Sequence, residues 1–119
     1  MILGLDYAGG RPGGQAIMAN GYQFVVRYLS DGGPRLPGKL LTAEEYADLQ
    51  RAGIAVCCNW ETSVTRMLGG RAAGASDAQS AAAVCASLGH PMDRPIYFSA
   101  DWDASPALSL IHISEPTRP

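Results

Sequence analysis

The chain has 119 residues, a formal net charge of −2 and a hydrophobic content of 47%. These values are typical of one globular domain and exclude a disordered chain. The acidic balance argues against a nucleic-acid-binding protein, which usually carries a basic surface. No apolar run approaches the ~20 residues that a membrane span needs. No signal peptide is visible, and the sequence leaves both location and oligomeric state open.

Strand-like and helix-like segments alternate in the first half of the chain. A strand is predicted over 2–6, followed by a glycine-rich loop over 9–14 and a short helix over 15–20. A second strand is predicted over 24–28, which is rich in aromatic and β-branched residues. The segment 30–39 is rich in Gly and Pro and is predicted to be a loop.

A second helix is predicted from a capping box, in which Thr42 is the N-cap and Glu45 lies three residues later. Gly53 ends this helix, since glycine readily adopts the left-handed conformation that follows a helix. The third strand is predicted over 54–59 and the fourth over 96–100.

The third helix is predicted to begin at Ser76, with Gln79 as its capping partner, and to end at Gly89. His90 follows this helix and is predicted to lie on the surface. Strands that alternate with helices favour parallel βα units with right-handed crossovers. The predicted fold class is therefore α/β.

Four βα units would form only the N-terminal half of a TIM (β/α)8 barrel, which needs about 250 residues. A complete small doubly wound domain is the alternative. Residues 109–119 differ in composition from the preceding sequence and resemble translated sequencing adapter. We therefore predict a partial barrel domain over 1–108 and a non-native tail over 109–119, with a natural disordered terminus as the alternative.

Acidic residues follow three of the four predicted strands. Asp6 closes the first strand, Glu61 follows the third, and Asp101 and Asp103 follow the fourth. The carboxyl ends of parallel strands meet on one rim, which is where α/β barrels carry out chemistry. Paired carboxylates are the usual catalysts of glycoside hydrolysis. All four acids are therefore candidate catalytic residues.

Each acid also has an ordinary structural interpretation. Asp101 and Asp103 share a face, which suits one acid and one base or stabiliser, but Asp103 could simply cap the turn at 105–106. Asp6 could form an ion pair with Arg27, which we expect to point inward toward the acids. Glu61 could be an ordinary rim carboxylate.

Aromatic residues near these acids are candidate sugar-binding residues. Trp60 precedes Glu61, and an aromatic ring packs well against a pyranose. Tyr7, Tyr28 and Trp102 could line subsites, although such residues taken singly are more often ordinary packing residues. Arg27 is a further candidate for substrate binding.

No cofactor or metal site is predicted. Cys57, Cys58 and Cys85 lack metal-ligand spacing and are interpreted as buried free thiols. The loop 9–14 follows a strand and precedes a helix, but it has neither the dinucleotide-binding nor the P-loop spacing. A nucleotide-binding α/β domain is therefore the least favoured interpretation.

Four stretches of sequence resemble a known family, and together they span residues 2–107. The order and spacing of these stretches resemble the glycoside-hydrolase-like TIM-barrel domain of the DUF1906, or Rv2525c-like, family. The matching stretches are Gly-Leu-Asp-Tyr-Ala at 4–8, Phe-Val-Val-Arg-Tyr-Leu-Ser at 24–30, Trp-Glu-Thr at 60–62 with 68–74, and 94–98 with Asp-Trp-Asp at 101–103.

The resemblance implies a relation to the glycoside hydrolase 25 lysozymes, which cleave peptidoglycan with acids at equivalent strand ends. It also implies a secreted or cell-wall-associated parent protein. We therefore expect a full-length parent that hydrolyses cell-wall glycan, and a 119-residue chain that is inactive alone. The alternative is a barrel that binds glycan without cleaving it. Whether hydrolysis retains or inverts configuration stays open.

Overall fold

The structure is a computed structural model that describes residues 1–100. Asp101, Trp102 and Asp103 therefore lie outside the described residues, as do the predicted boundary at 108 and the tail at 109–119. Their assignments stay predictions.

The described residues form one sheet of four parallel strands, joined by three helices. The strand order is β1-β2-β3-β4, so each strand pairs with its neighbour in sequence. This confirms the predicted α/β class and its parallel βα units. The elements are β1 (Gly4–Asp6), α1 (Gly14–Ala19), β2 (Phe24–Tyr28), α2 (Ala43–Arg51), β3 (Ala55–Trp60), α3 (Gly70–Leu88) and β4 (Ile96–Phe98).

Local sequence signals predicted some element bounds and missed others. β2 has the predicted bounds, and the Thr42 side chain caps α2 by accepting a hydrogen bond from the Glu45 backbone N–H at 3.2 Å. β1 and β4 are shorter than predicted. The predicted start of the third helix is wrong, because α3 begins at Gly70 and Ser76 lies within it.

A long-range ion pair stabilises the earlier start of α3. Arg66, in the turn before the helix, binds Asp77 through three hydrogen bonds of 2.8 to 3.1 Å. Beside this guanidinium the pKa of Asp77 is lowered. The contact ties the first turns of α3 to the segment that enters it, which a capping motif at Ser76 cannot reveal.

The two faces of the sheet differ in character. Leu5, Val25 and Val56 lie in register and pack beneath the helices. Asp6, Val26 and Cys57 lie in register on the opposite face, which we call the inner face. This arrangement matches half of a barrel, whose helices cover the outside of the strands.

The hydrophobic core lies between the sheet and the helices. Val25, Leu49 and Cys58 are completely buried there. The surface position predicted for His90 is wrong, because this residue is buried and its Nδ1 lies 3.1 Å from the Tyr46 hydroxyl. Cys58 and Cys85 are buried free thiols, as predicted, whereas Cys57 is only half-buried.

Candidate functional site

Three of the predicted site residues meet at the carboxyl end of the sheet. Asp6 ends β1, Tyr28 ends β2, and Glu61 directly follows β3. The Tyr28 hydroxyl donates a hydrogen bond to Asp6 Oδ1 at 2.8 Å. We call these three residues the acidic rim.

The electrostatics of Tyr28 show how close the two acids are to it. Burial, the hydrogen bond to Asp6 and the negative charges of Asp6 and Glu61 raise the pKa of Tyr28 to about 12. The phenol is therefore neutral at physiological pH and acts as a hydrogen-bond donor. This donor joins the end of β2 to the carboxylate at the end of β1.

The backbone at Glu61 is held by two side chains from the β2–α2 loop. The Ser30 hydroxyl and the Lys39 ammonium both donate to the Glu61 carbonyl oxygen, the second at 2.5 Å. Sequence analysis missed both residues because they lie in a stretch that looked like an ordinary Gly- and Pro-rich loop. The loop therefore fixes the end of β3, from which the Glu61 carboxylate extends.

A further polar contact crosses from β3 toward the end of β4. Asn59 Nδ2 donates a hydrogen bond to Ser99 Oγ at 2.7 Å. Asn59 is in register with Tyr97, whose side chain is 56% exposed on the inner face. Ser99 is two residues before Asp101, the first predicted acid beyond the described residues. The inner face is thus polar near Ser99, close to the end of the described residues.

The orientation predicted for Arg27 is wrong. Arg27 is in register with Cys58 on the helix-covered side and is fully buried. Its Nε and Nη2 each donate to Glu45 at 2.8 Å, Nη1 donates to the Tyr7 carbonyl oxygen, and Nη2 also donates to the Gly38 carbonyl oxygen. Arg27 thus has no surface left for a sugar, and its partner is Glu45 on α2, not Asp6.

Tyr7 belongs to the same buried cluster. Its hydroxyl donates to Glu45 Oε2 at 2.7 Å, and the Arg27 guanidinium lies 4.3 Å from its ring centre. Burial and the Glu45 carboxylate raise the Tyr7 pKa. Arg11 lies 3.4 Å from Glu45 and binds the Leu40 carbonyl. This Arg27–Glu45 cluster joins the loops that follow β1 and β2, just behind the acidic rim.

Trp60 and Glu61 extend from opposite sides of the strand end. The Trp60 ring packs against the core. Its buried indole N–H has no hydrogen-bond partner of normal geometry within residues 1–100. It nevertheless lies close enough to Asp77 to help lower the pKa of that carboxyl. Both Trp60 and Glu61 line a cavity of about 440 Å³, which lies between the β3–α3 turn, α3 and the end of β4.

The glycine-rich loop offers no favourable site for a phosphate. The Gly14 N–H at the start of α1 is already bound by the Asp48 carboxylate at 2.7 Å, which places negative charge where an anion would have to bind. Across residues 1–100, no three His, Cys, Asp or Glu side chains are grouped to hold a metal ion. None of the described helices has the length and apolar character needed to cross a membrane.

A parallel α/β sheet with carboxylates on one rim is an arrangement that barrel glycoside hydrolases use. The chain belongs to the family described as the Rv2525c-like, glycoside hydrolase-like domain, whose sequence model matches residues 15–110. This finding confirms the family resemblance that the sequence motifs indicated.

The similar proteins come from Mycobacterium tuberculosis. The chain is 34% identical over 103 residues to the protein named "Putative peptidoglycan hydrolase Rv2525c" of strain H37Rv, covering 82% of this chain and 43% of that protein. Crystal structures of Tat-secreted Rv2525c with L-tartrate and with HEPES match with TM-scores of 0.80 and 0.76, at 32% and 33% identity. These matches cover 88% of this chain and 54% and 55% of theirs, so the chain spans about half of its relative.

Proposed function

We propose that the full-length domain, meaning this chain extended to the length of its relative, hydrolyses glycosidic bonds in bacterial cell-wall polysaccharide, with peptidoglycan as substrate. The observation that carries this proposal is the meeting of Asp6, Tyr28 and Glu61 on one rim of a parallel sheet. The family description and the name of the M. tuberculosis relative support the same substrate class.

The acids divide into two groups in this proposal. One of Asp101 and Asp103 protonates the leaving oxygen, because two carboxyl groups held close together keep one of them protonated. The other acts with Asp6 and Glu61 to stabilise positive charge at the anomeric carbon, or to orient an N-acetyl group or water. The hydrogen bond from the Tyr28 hydroxyl holds the Asp6 carboxylate in position for this role.

The aromatic candidates take different parts. Tyr28 and Trp102 remain proposed sugar contacts, and Trp60 contributes to the wall of the cavity beside Glu61. Tyr7 and Arg27 act from behind the rim, since their polar groups bind Glu45. Their proposed task is to hold the loop after Asp6 in place.

A glycan-binding barrel without catalysis is the second candidate. The half-exposed Tyr97 on the inner face favours it, because an aromatic ring beside Asn59 offers stacking and hydrogen bonding to a sugar without any acid chemistry. Both candidates require the glycan to occupy the rim, and they differ only in turnover.

The distinguishing experiment incubates the full-length domain with purified peptidoglycan and measures both pelleted protein and released reducing ends. Binding with release of reducing ends supports the hydrolase. Binding without release favours the non-catalytic barrel. If the protein neither binds peptidoglycan nor releases reducing ends, both candidates are rejected.

A further inference from the structure

Lys39 is a buried cation at the acidic rim that no catalytic role has yet used. The residue is only 7% exposed and lies in the loop between β2 and α2. Its Nζ donates to the Glu61 carbonyl oxygen at 2.5 Å and lies 5.4 Å from the centre of the Tyr28 ring. The ammonium group therefore sits between two residues of the rim.

The charge of Lys39 is poorly compensated by the described part of the chain. An ammonium group has three N–H donors, and burying it is costly unless it is paired. Among residues 1–100, one acceptor binds Lys39 Nζ and no carboxylate lies within 4.0 Å of it. By contrast, Arg27 and Arg66 each bind a carboxylate at 2.8 Å. Two donors and a positive charge remain at Lys39 for another partner.

The rim residues beside Lys39 reach the protein surface. Tyr28 and Glu61 are half-buried and Asp6 is exposed, so the rim around the ammonium reaches solvent. Without a cation, the two carboxylates of the rim would repel any anionic ligand, because like charges held close together disfavour binding. Lys39 offsets that repulsion at one point of the rim.

We propose that Lys39 binds a free carboxylate carried by the glycan, so that the rim selects acidic glycans over neutral ones. The chemical class is an amino-sugar polymer that bears a free carboxylate on a lactyl ether, as a peptidoglycan strand does where its muramic acid carries no stem peptide. This inference rests on the proposed function, since it requires the rim to hold glycan. It adds the ligand's charge as a determinant of specificity.

A purely structural role for Lys39 predicts a different result. If its ammonium only holds the Glu61 carbonyl, removing it weakens binding of acidic and neutral glycans by the same factor. If it also binds the glycan carboxylate, removing it weakens binding of the acidic glycan by a larger factor than binding of the neutral one. A double-mutant cycle between the lysine and the ligand carboxylate separates these cases.

The experiment measures affinities by titration calorimetry in the full-length domain carrying Asp101→Asn, which the proposed function expects to prevent cleavage. One ligand is a tetrasaccharide of alternating N-acetylglucosamine and N-acetylmuramic acid. The other is the same tetrasaccharide with its lactyl carboxylates reduced to alcohols. Lys39→Met removes the charge and Lys39→Arg keeps it. Arg51→Met removes a cation of α2 whose side chain is 72% exposed, and serves as the matched control.

With Lys39 present, we expect the acidic tetrasaccharide to bind roughly 10- to 100-fold more tightly than the reduced one, as one charge-assisted hydrogen bond allows. Lys39→Met abolishes the preference, because it weakens binding of the acidic ligand more than binding of the reduced one. Lys39→Arg keeps part of the preference, and Arg51→Met keeps all of it. Equal affinity for both ligands, or equal losses in Lys39→Met, overturns the inference and leaves the proposed function intact. If neither ligand binds, both this inference and the proposed function are overturned.

Discussion

Replacing Glu45 with glutamine is expected to destabilise the protein strongly. The Glu45 side chain is 4% exposed, and its two oxygens accept hydrogen bonds from Arg27 and Tyr7 at 2.7 to 2.8 Å. Whichever way a glutamine amide is turned, its NH₂ group faces one of these donors. The substitution also leaves the fully buried Arg27 without a counter-charge.

The expected loss is about 3–5 kcal/mol in the free energy of unfolding, the range for removing one partner of a buried ion pair. This is a large part of the 5–15 kcal/mol that typically stabilises a folded domain. The measurement is urea denaturation of the full-length domain, with and without Glu45→Gln. Glu44→Gln is the matched control, because Glu44 is the exposed neighbour on α2 and its loss should cost about 0.5 kcal/mol or less.

A double variant tests the reasoning further. Arg27→Met combined with Glu45→Leu removes both charges, so no uncompensated charge remains buried and much of the stability should return. If Glu45→Gln proves as mild as Glu44→Gln, the Arg27–Glu45 pair does not stabilise the loops behind the rim and the reasoning is refuted.

Three further predictions concern the rim, the thiols and the isolated chain. Because the pKa of Tyr28 is raised from 10.0 to about 12, its contribution to stability is complete below pH 10 and is lost as pH rises through 12; the difference in free energy of unfolding between wild type and Tyr28→Phe should be constant below pH 10 and shrink above it. Burial raises the pKa of Cys58 to about 12, so iodoacetamide at pH 8 should label the half-buried Cys57 well before Cys58, as followed by mass spectrometry; equal rates would contradict the buried position. The 119-residue chain alone should not turn over cell-wall glycan, because β1 and β4 each pair on one side only within residues 1–100; a monomeric, cooperatively folded and active fragment would contradict this.

The fold could be predicted from the sequence because its signals are local. The β2 segment combines aromatic and β-branched residues, and Thr42 caps α2 through a contact only three residues long. The start of α3 was missed because the capping motif at Ser76 lies inside the helix. The Arg66–Asp77 ion pair that ties the first turns to the preceding segment joins residues 11 positions apart, which a capping rule does not detect.

The site was only partly predictable for the same reason. Acids at strand ends are visible in sequence, and Asp6 and Glu61 do flank Tyr28. Glu45 looked like a capping residue because its partners Arg27 and Tyr7 lie 18 and 38 positions away. No spacing rule reveals contacts of that length, and they appear only once the strands and α2 are packed.

The central claim is that the acids of the rim catalyse glycosidic cleavage. Its most direct test is the rate of reducing-end release from peptidoglycan by the full-length domain, compared between wild type, Glu61→Gln and Asp101→Asn, with Glu44→Gln as control. We expect measurable wild-type activity, a loss of roughly 100-fold or more in Glu61→Gln and in Asp101→Asn with the fold retained, and no loss in Glu44→Gln. Wild-type rates in both Glu61→Gln and Asp101→Asn would contradict the catalytic assignment.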